Sequence, residues 1–362
     1  MKVAIVVDRI TNYGGIQRIV LLMARKFNAD IYTGLYNPDT TFPEFKEYQI
    51  TELIPRDSSQ YRWPYRIRGR LLHYKFSRLN LKDYDIYILH GGKSLEIARR
   101  HHPNLWYCHS PTRWLYDLYE DELSRFNFPV RELFRGACYF LRKRDKSNVK
   151  HVDKIVANSN NVKERVKRIY GRDADVVYPP VNIKKFRYKK TGNFYLSTAR
   201  LSPEKRVDMI VRAFQQMPDK KLIVASSGSE YEKIKRMSQG YENIKVLGWV
   251  SEEELIELYG NCIATVFASH YEDFGMVAVE SMASGKPAIA PNDMGFTESV
   301  IDKKTGLLIN PTVENIIKAV EWMTPERAKK MRKACEERAK EFSEDKFIEG
   351  IKKAMDEVIG KT

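Results

Sequence analysis

The chain has 362 residues, more than one hydrophobic core usually organises, so two domains are expected. A content of 43% hydrophobic and 12% aromatic residues marks a globular protein and excludes a disordered one. The net charge of +15 lies mostly in the first half, where residues 1–178 carry 32 Lys and Arg against 20 Asp and Glu. That asymmetry points to an anionic partner (nucleic acid, a lipid surface or a phosphorylated acceptor) or to a solvated basic face with none.

Met1 to Asp8 reads as a first β-strand, too short for a signal peptide. No run approaches the ~18 apolar residues of a membrane span. The four cysteines, Cys108, Cys138, Cys262 and Cys335, are scattered, as reduced thiols of a cytosolic protein are. Further strands are expected at 29–33, 86–89, 105–109, 154–157 and 176–177. Tyr178-Pro179-Pro180-Val181 then marks a linker near 179–190, since paired prolines continue neither a helix nor a central strand. The second half restarts with strands at 194–198, 221–225, 244–247, 264–267, 288–290 and 306–309. Ser251-Glu252-Glu253-Glu254 resembles a capping box, and Ser343 suits the N-cap of a last helix. Short apolar strands alternating with helices indicate an α/β class with parallel sheets. The expected division is a domain over 1–180, a second over 181–340, and a C-terminal helix over 341–362 that packs back on the first domain.

Three constellations carry chemistry. Gly14 and Gly15, after the first strand, let backbone approach a phosphate at a helix N-terminus, although a plain tight turn would look the same. They do not form a GxGxxG fingerprint, which disfavours a nicotinamide or flavin cofactor. Arg200 and Lys205 follow the first strand of the second half and could converge on a pyrophosphate, or form an ordinary surface charge cluster. The most informative run is His270 to Pro287. Glu272 falls in a loop, Glu280 lies on the helix beginning near Gly275, and the N–H groups of Phe274, Gly275 and Met276 come between them. A diphosphate at that helix end would put a sugar near one acid and a ribose near the other.

The spacing Glu272…Glu280 resembles the paired-glutamate motif of glycosyltransferase family 4, which has the GT-B fold of two Rossmann-like domains facing a cleft. The likeness covers nearly the whole chain. Gly14-Gly15 resembles that family's first glycine loop, Arg200 and Lys205 its phosphate-binding pair, and Leu247-Gly248-Trp249-Val250 its base-contacting turn. Tyr107-Cys108-His109-Ser110-Pro111, Trp114-Leu115-Tyr116-Asp117 and Tyr178-Pro179-Pro180-Val181 are similar to a branch that often uses GDP-mannose. Gln17 departs from the pattern, where many members carry an acid before the arginine. The resemblance implies a retaining, metal-independent hexosyltransferase acting on a nucleotide-sugar donor and a glycan or lipid-linked acceptor. Glu272 would then hold sugar hydroxyls, Glu280 the ribose, and Gly248 to Val250 the base. Arg200 and Lys205 would stabilise the departing diphosphate, and His109 would touch the sugar or relay a proton, unless it is an ordinary strand-end histidine.

No cofactor is expected. Asp83-Tyr84-Asp85 and Asp173-Ala174-Asp175 are DxD runs, but each precedes a strand instead of following one, so they read as loop acids and no metal site is expected. Residues 58–81 hold six Lys and Arg, no acid, and interleaved aromatics. They read either as a dock for an anionic membrane, making the protein peripheral at the inner face of the cell membrane, or as a helix whose aromatics face the core. A basic nucleic-acid-binding protein is the rival from another class, but no nucleic-acid motif frames the segment and no nucleic-acid partner is expected. A GT-B enzyme of another reaction, such as an epimerase or phosphorylase, is the third reading.

Overall fold

A computed structural model describes residues 1–360; the side chains of Tyr65 and Arg66, both in the basic segment, and the last two residues of the expected C-terminal segment lie outside the described residues. The chain forms two compact units. One comprises Met1–Val177 and the stretch from Ile348 onward; the other is Tyr178–Phe347.

The first unit is built on seven parallel strands: β1 (Val3–Val7), β2 (Asp30–Thr33), β3 (Ile50–Glu52), β4 (Ile86–His90), β5 (Asn104–Cys108), β6 (Lys154–Ala157) and β7 (Asp175–Val176). They lie in the order β3-β2-β1-β4-β5-β6-β7. The order reverses at β1, and the loops leaving β1 and β4 therefore diverge at a switch point where such sheets bind ligands. Every residue of β1, β4 and β5 is buried, as parallel strands covered on both faces require. Ala4, Val6, Leu89, Trp106 and Cys108 belong to one core cluster with Leu72 and Phe76 of the helix Tyr65–Arg78. From Ile348 the last helix (Glu344–Ile359) supplies buried Ile351 and Met355, and Glu357 accepts a hydrogen bond from Lys154 at 2.6 Å.

The second unit repeats the scheme with six parallel strands: β8 (Phe194–Ser197), β9 (Lys221–Val224), β10 (Ile244–Val246), β11 (Thr265–Val266), β12 (Ala288–Pro291) and β13 (Gly306–Ile309). Their order is β10-β9-β8-β11-β12-β13, reversing between β8 and β11. Ser251 caps the helix Glu252–Asn261, its side chain accepting the Glu254 N–H at 3.1 Å.

Three local features differ from the expectations. The strand Ile50–Glu52 was absent from the sequence reading. The last helix starts at Glu344, directly after Ser343 as its N-cap position requires, whereas the boundaries of the second unit, 178 and 347, bracket the expected 181–340. The segment 58–81 divides its aromatics: Phe76 is buried, while Trp63 and Tyr74 are exposed.

Candidate functional site

In the first unit the ends of β1, β4 and β5 converge. Asp8, directly after β1, accepts backbone N–H bonds from Lys93 (2.9 Å), Ser94 (2.8 Å) and Gly92 (3.2 Å), which locks the loop after β4. Gly14 is the N-cap of the helix Gly15–Phe27 and lends it no side-chain cap. A Cβ on Gly14 would come 2.7 Å from Oε1 at the tip of the Gln17 side chain, which would have to shift to admit it. Gln17, the departure from the family pattern, is buried and donates to the carbonyl of Arg9 at 3.2 Å, bracing the loop with an amide.

His109 follows β5, and its Nε2 lies 3.0 Å from Nδ1 of His90 at the end of β4. Burial pushes His90 well below its usual value and His109 down to about 3, so both rings are neutral near pH 7. Tyr107 packs its ring against both and donates its hydroxyl to the Val177 carbonyl at 2.9 Å.

Beside these loops is a cavity of about 420 Å³, lined by Asp8, Arg68, Lys93, Trp114 and Arg144 among others. It is wholly within the first unit. Glu96 in its wall is held ionised, its carboxyl lowered to about 2. Burial works against that, and the hydrogen bonds from His73 (2.8 Å) and Arg144 (2.6 and 2.9 Å) outweigh it. Lys93 has no ion-pair partner among the described residues, and Nε of Arg68 is buried without a hydrogen bond. Arg144 is thus committed to Glu96 and Arg68 to the Tyr61 carbonyl and ring, which leaves Lys93 in the wall without an ion-pair partner among the described residues.

In the second unit Arg200 lies exposed beyond β8, and Lys205 closes a 3-10 turn (Pro203–Lys205). Lys205 Nζ reaches Glu272 at 2.5 Å, so the cation and the carboxylate singled out separately in the sequence form one half-buried ion pair. The loop carrying Glu272 is fastened by Gly295 N–H to the Glu272 carbonyl (3.0 Å) and His270 N–H to the Glu204 carbonyl (2.9 Å).

Gly275 caps the helix Met276–Ala283 with φ +80°, and a Cβ there would come 2.7 Å from the Phe296 ring. Both facts require glycine. The N–H groups of Phe274 and Gly275 donate to no acceptor among the described residues, and no acid occupies the helix's first turn. Glu280, further along, is buried and accepts from the Tyr259 hydroxyl at 3.0 Å; that hydroxyl lies 2.8 Å from Oγ1 of Thr198. Gly248 has φ +79° and is packed on Tyr231, which leaves Trp249 exposed and Val250 half-buried.

The structure therefore sets Phe274, Gly275 and Met276 at the start of the helix Met276–Ala283, after the loop that pairs Glu272 with Lys205, and leaves Glu280 further along it, buried against Tyr259. Asp85 accepts from the Lys2 N–H at 2.6 Å, and Asp175 pairs with Lys154 at 2.5 Å. Among the described residues no three His, Cys, Asp or Glu side chains gather as ligands. Sequence reasoning missed Asp8, His90 and Tyr259. Asp8 ends the first strand, and His90 precedes Gly91-Gly92 at another strand end, which are positions that could have flagged both. Tyr259 carried no such signal.

Two family models cover the chain in tandem: Glycosyltransferase Family 4 matches residues 13–185 and Glycosyl transferases group 1 matches 180–342. An uncharacterized glycosyltransferase of Methanocaldococcus jannaschii is 32% identical over 214 residues, 57% of this chain and 60% of that protein. The Homo sapiens alpha-1,3/1,6-mannosyltransferase ALG2 is 25% identical, over 93% of this chain and 92% of its own. Among solved structures, Anabaena HepE in complex with UDP and glucose superimposes with a TM-score of 0.74 at 15% identity, over 97% of this chain and 98% of that one. Sucrose-phosphate synthase from Thermosynechococcus elongatus does so with a TM-score of 0.76 at 18% identity, over 100% of both. With two parallel-sheet Rossmann-like units, the chain belongs to the family-4 glycosyltransferases of GT-B fold.

Proposed function

We propose that the protein transfers a hexose from a nucleoside-diphosphate sugar to a hydroxyl of a glycan or lipid-linked acceptor, with GDP-mannose as the favoured donor. The observation that carries this reading is the helix end at Gly275, where two uncommitted N–H groups come, along the chain, between Glu272, paired with Lys205, and Glu280. Such N–H groups and the helix dipole favour a diphosphate. Arg200 and Lys205 then stabilise the charge that develops on it. Once the diphosphate engages Lys205, Glu272 is released to accept from sugar hydroxyls, while Glu280 and the Gly248–Val250 turn serve the ribose and the base. The sugar's bond to the diphosphate oxygen breaks, the acceptor oxygen bonds the same carbon on the same face, and the hydroxyl proton passes to the departing diphosphate. Configuration is retained and no metal is required. The acceptor enters the cavity of the first unit, and His109 contacts the transferred sugar.

Mannose is supported by the likeness to a protein named a mannosyltransferase, whereas the HepE structures hold UDP or UDP-glucose. A thermal-shift panel of GDP, UDP, ADP and their sugars separates the two, because a ligand that binds only the native state raises the midpoint by its binding free energy. GDP and GDP-mannose should give the largest shifts; a larger shift with UDP would move the donor assignment to uridine sugars. Transfer should also persist in excess chelator, and loss of turnover there, restored by magnesium or manganese, would end the metal-free reading.

A further inference from the structure

His90 and His109 share one hydrogen bond, and its direction decides what His109 can offer a ligand. Both rings are neutral near pH 7, so each carries a single proton on one of its two nitrogens. Nδ1 of His90 and Nε2 of His109 stand 3.0 Å apart, and one of them must donate to the other. His90 is fully buried at the end of β4, its carbonyl fixed by the Asp8 N–H (3.2 Å) and the Ser94 hydroxyl (3.0 Å). Its other ring nitrogen, Nε2, is buried without a hydrogen-bond partner among the described residues. A proton there would be a donor shut away from water with nothing to accept it, and orphaned buried N–H groups are rarer in proteins than under-used acceptors. The proton of His90 therefore sits on Nδ1 and points at His109.

Nε2 of His109 is then the acceptor, which leaves the single proton of His109 on Nδ1. That nitrogen makes no hydrogen bond among the described residues and is not sealed from solvent, since His109 is half-buried beyond β5. We propose that His90 is a positioning residue that fixes His109 as the Nδ1–H tautomer, so that His109 meets the ligand as a hydrogen-bond donor to an oxygen and not as a base. This rests on the reading that His109 contacts the transferred sugar, and deepens it. Of the two roles open to His109 in the sequence, sugar contact and proton relay, only the first is then available, because the nitrogen that faces outward has no lone pair to receive a proton. A neutral N–H directed at a sugar oxygen suits a transfer in which the acceptor's proton leaves with the diphosphate.

Imidazole nitrogen NMR spectra of the free protein read the tautomer with no donor or acceptor present, so this result stands apart from the donor assignment. His109, identified by the signals that His109→Asn removes, should show a protonated Nδ1 and an unprotonated Nε2. His90→Leu should shift it toward the Nε2–H form, and His90→Asn, whose amide N–H can stand where Nδ1 stands, should restore the wild-type pattern. Nucleotide release from GDP-mannose and from UDP-glucose supplies a second readout. With whichever donor turns over, His90→Leu should lower kcat about tenfold with little change in KM, the scale of one hydrogen bond missing in the transition state, and His90→Asn should recover most of it. His109→Asn should be more active than His109→Gln, because only the former leaves an N–H where Nδ1 was; this comparison holds even where His90→Leu folds poorly. The proposal is overturned if wild-type His109 carries its proton on Nε2, if His109→Gln is the more active of the two, or if His90→Leu keeps full kcat with the tautomer shifted. A fixed Nδ1–H tautomer with no turnover of either donor would uphold the positioning by His90 and remove the sugar contact instead.

Discussion

Lys205 and Glu272, 2.5 Å apart, face opposite demands from the two ends of a donor. If a diphosphate must displace Glu272 from the ammonium, Glu272→Gln removes the competitor. The variant should bind nucleoside diphosphate more tightly by about 0.5–1 kcal/mol, the scale of a partly exposed ion pair. It should lose about 2–4 kcal/mol of transition-state stabilisation because the sugar is no longer held as a charged acceptor would hold it. Calorimetry and steady-state rates read the two effects separately; weaker nucleotide binding would show that the pair does not compete with ligand. Tyr259→Phe removes the hydrogen-bond donor from buried Glu280 and should cost about 1–3 kcal/mol of stability in the second unit. The histidine pair gives a pH signature. His90 and His109 titrate below their unfolded value of about 6.5, His109 near 3. In that window the unfolded chain binds more protons, so the pair's contribution falls as pH drops below about 6.5 and is flat above it. Melts from pH 7.5 to 4.5 should show this decline, and His109→Gln should make it shallower.

At the scale of elements, glycines define where loops turn. Gly275→Ala combines a left-handed backbone with a 2.7 Å approach to Phe296, so it should destabilise by ~1–2 kcal/mol from the backbone alone and weaken nucleotide binding. Gly136→Ala meets open space inside a helix and should stabilise by roughly 0.5–1 kcal/mol. A chemical-denaturation series on both would show whether backbone geometry or added side-chain volume governs each. The parallel strands were legible because their apolar runs are bounded by turn residues. Ile50–Glu52 was not: it is a three-residue edge strand with no buried residue. Glu272 and Glu280 were legible as a spacing, but their partners were not, since Lys205 is 67 residues from Glu272 and Tyr259 is 21 from Glu280 on another helix. The helix Val130–Val149 shows the same limit, because apolar residues stand on its exposed side (Leu133, Phe140) as well as its buried one (Cys138, Val149), and the acid Asp145 is among those that face inward.

At the scale of the whole molecule, the first unit takes its last helix from the far end of the chain. Removing everything from Ile348 takes away buried Ile351, Ala354, Met355 and Val358, together with the Glu357 partner of Lys154. At roughly 1.5–3 kcal/mol for each large apolar side chain, the loss approaches the stability of an ordinary domain. The truncated chain should therefore lose the protease resistance of its first unit while the second still melts cooperatively and responds to nucleotide. An unchanged proteolysis pattern would show that the helix is dispensable. The +15 charge, centred on the first half, belongs to this scale too, since it concerns association more than folding.

That borrowed helix also sets an order of events during synthesis. When Val177 leaves the ribosome, all seven strands of the first sheet have been made, yet the helix from Ile348 onward that completes the unit is still untranslated. At ~5–20 residues per second, the nascent sheet waits tens of seconds for it. The second unit, continuous from Tyr178 to Phe347, can mature in that interval. Completion of the first unit thus waits on a helix made after the second unit, and a product terminated before that helix would display an unfinished first unit to chaperones and proteases even when its nucleotide-side unit is sound.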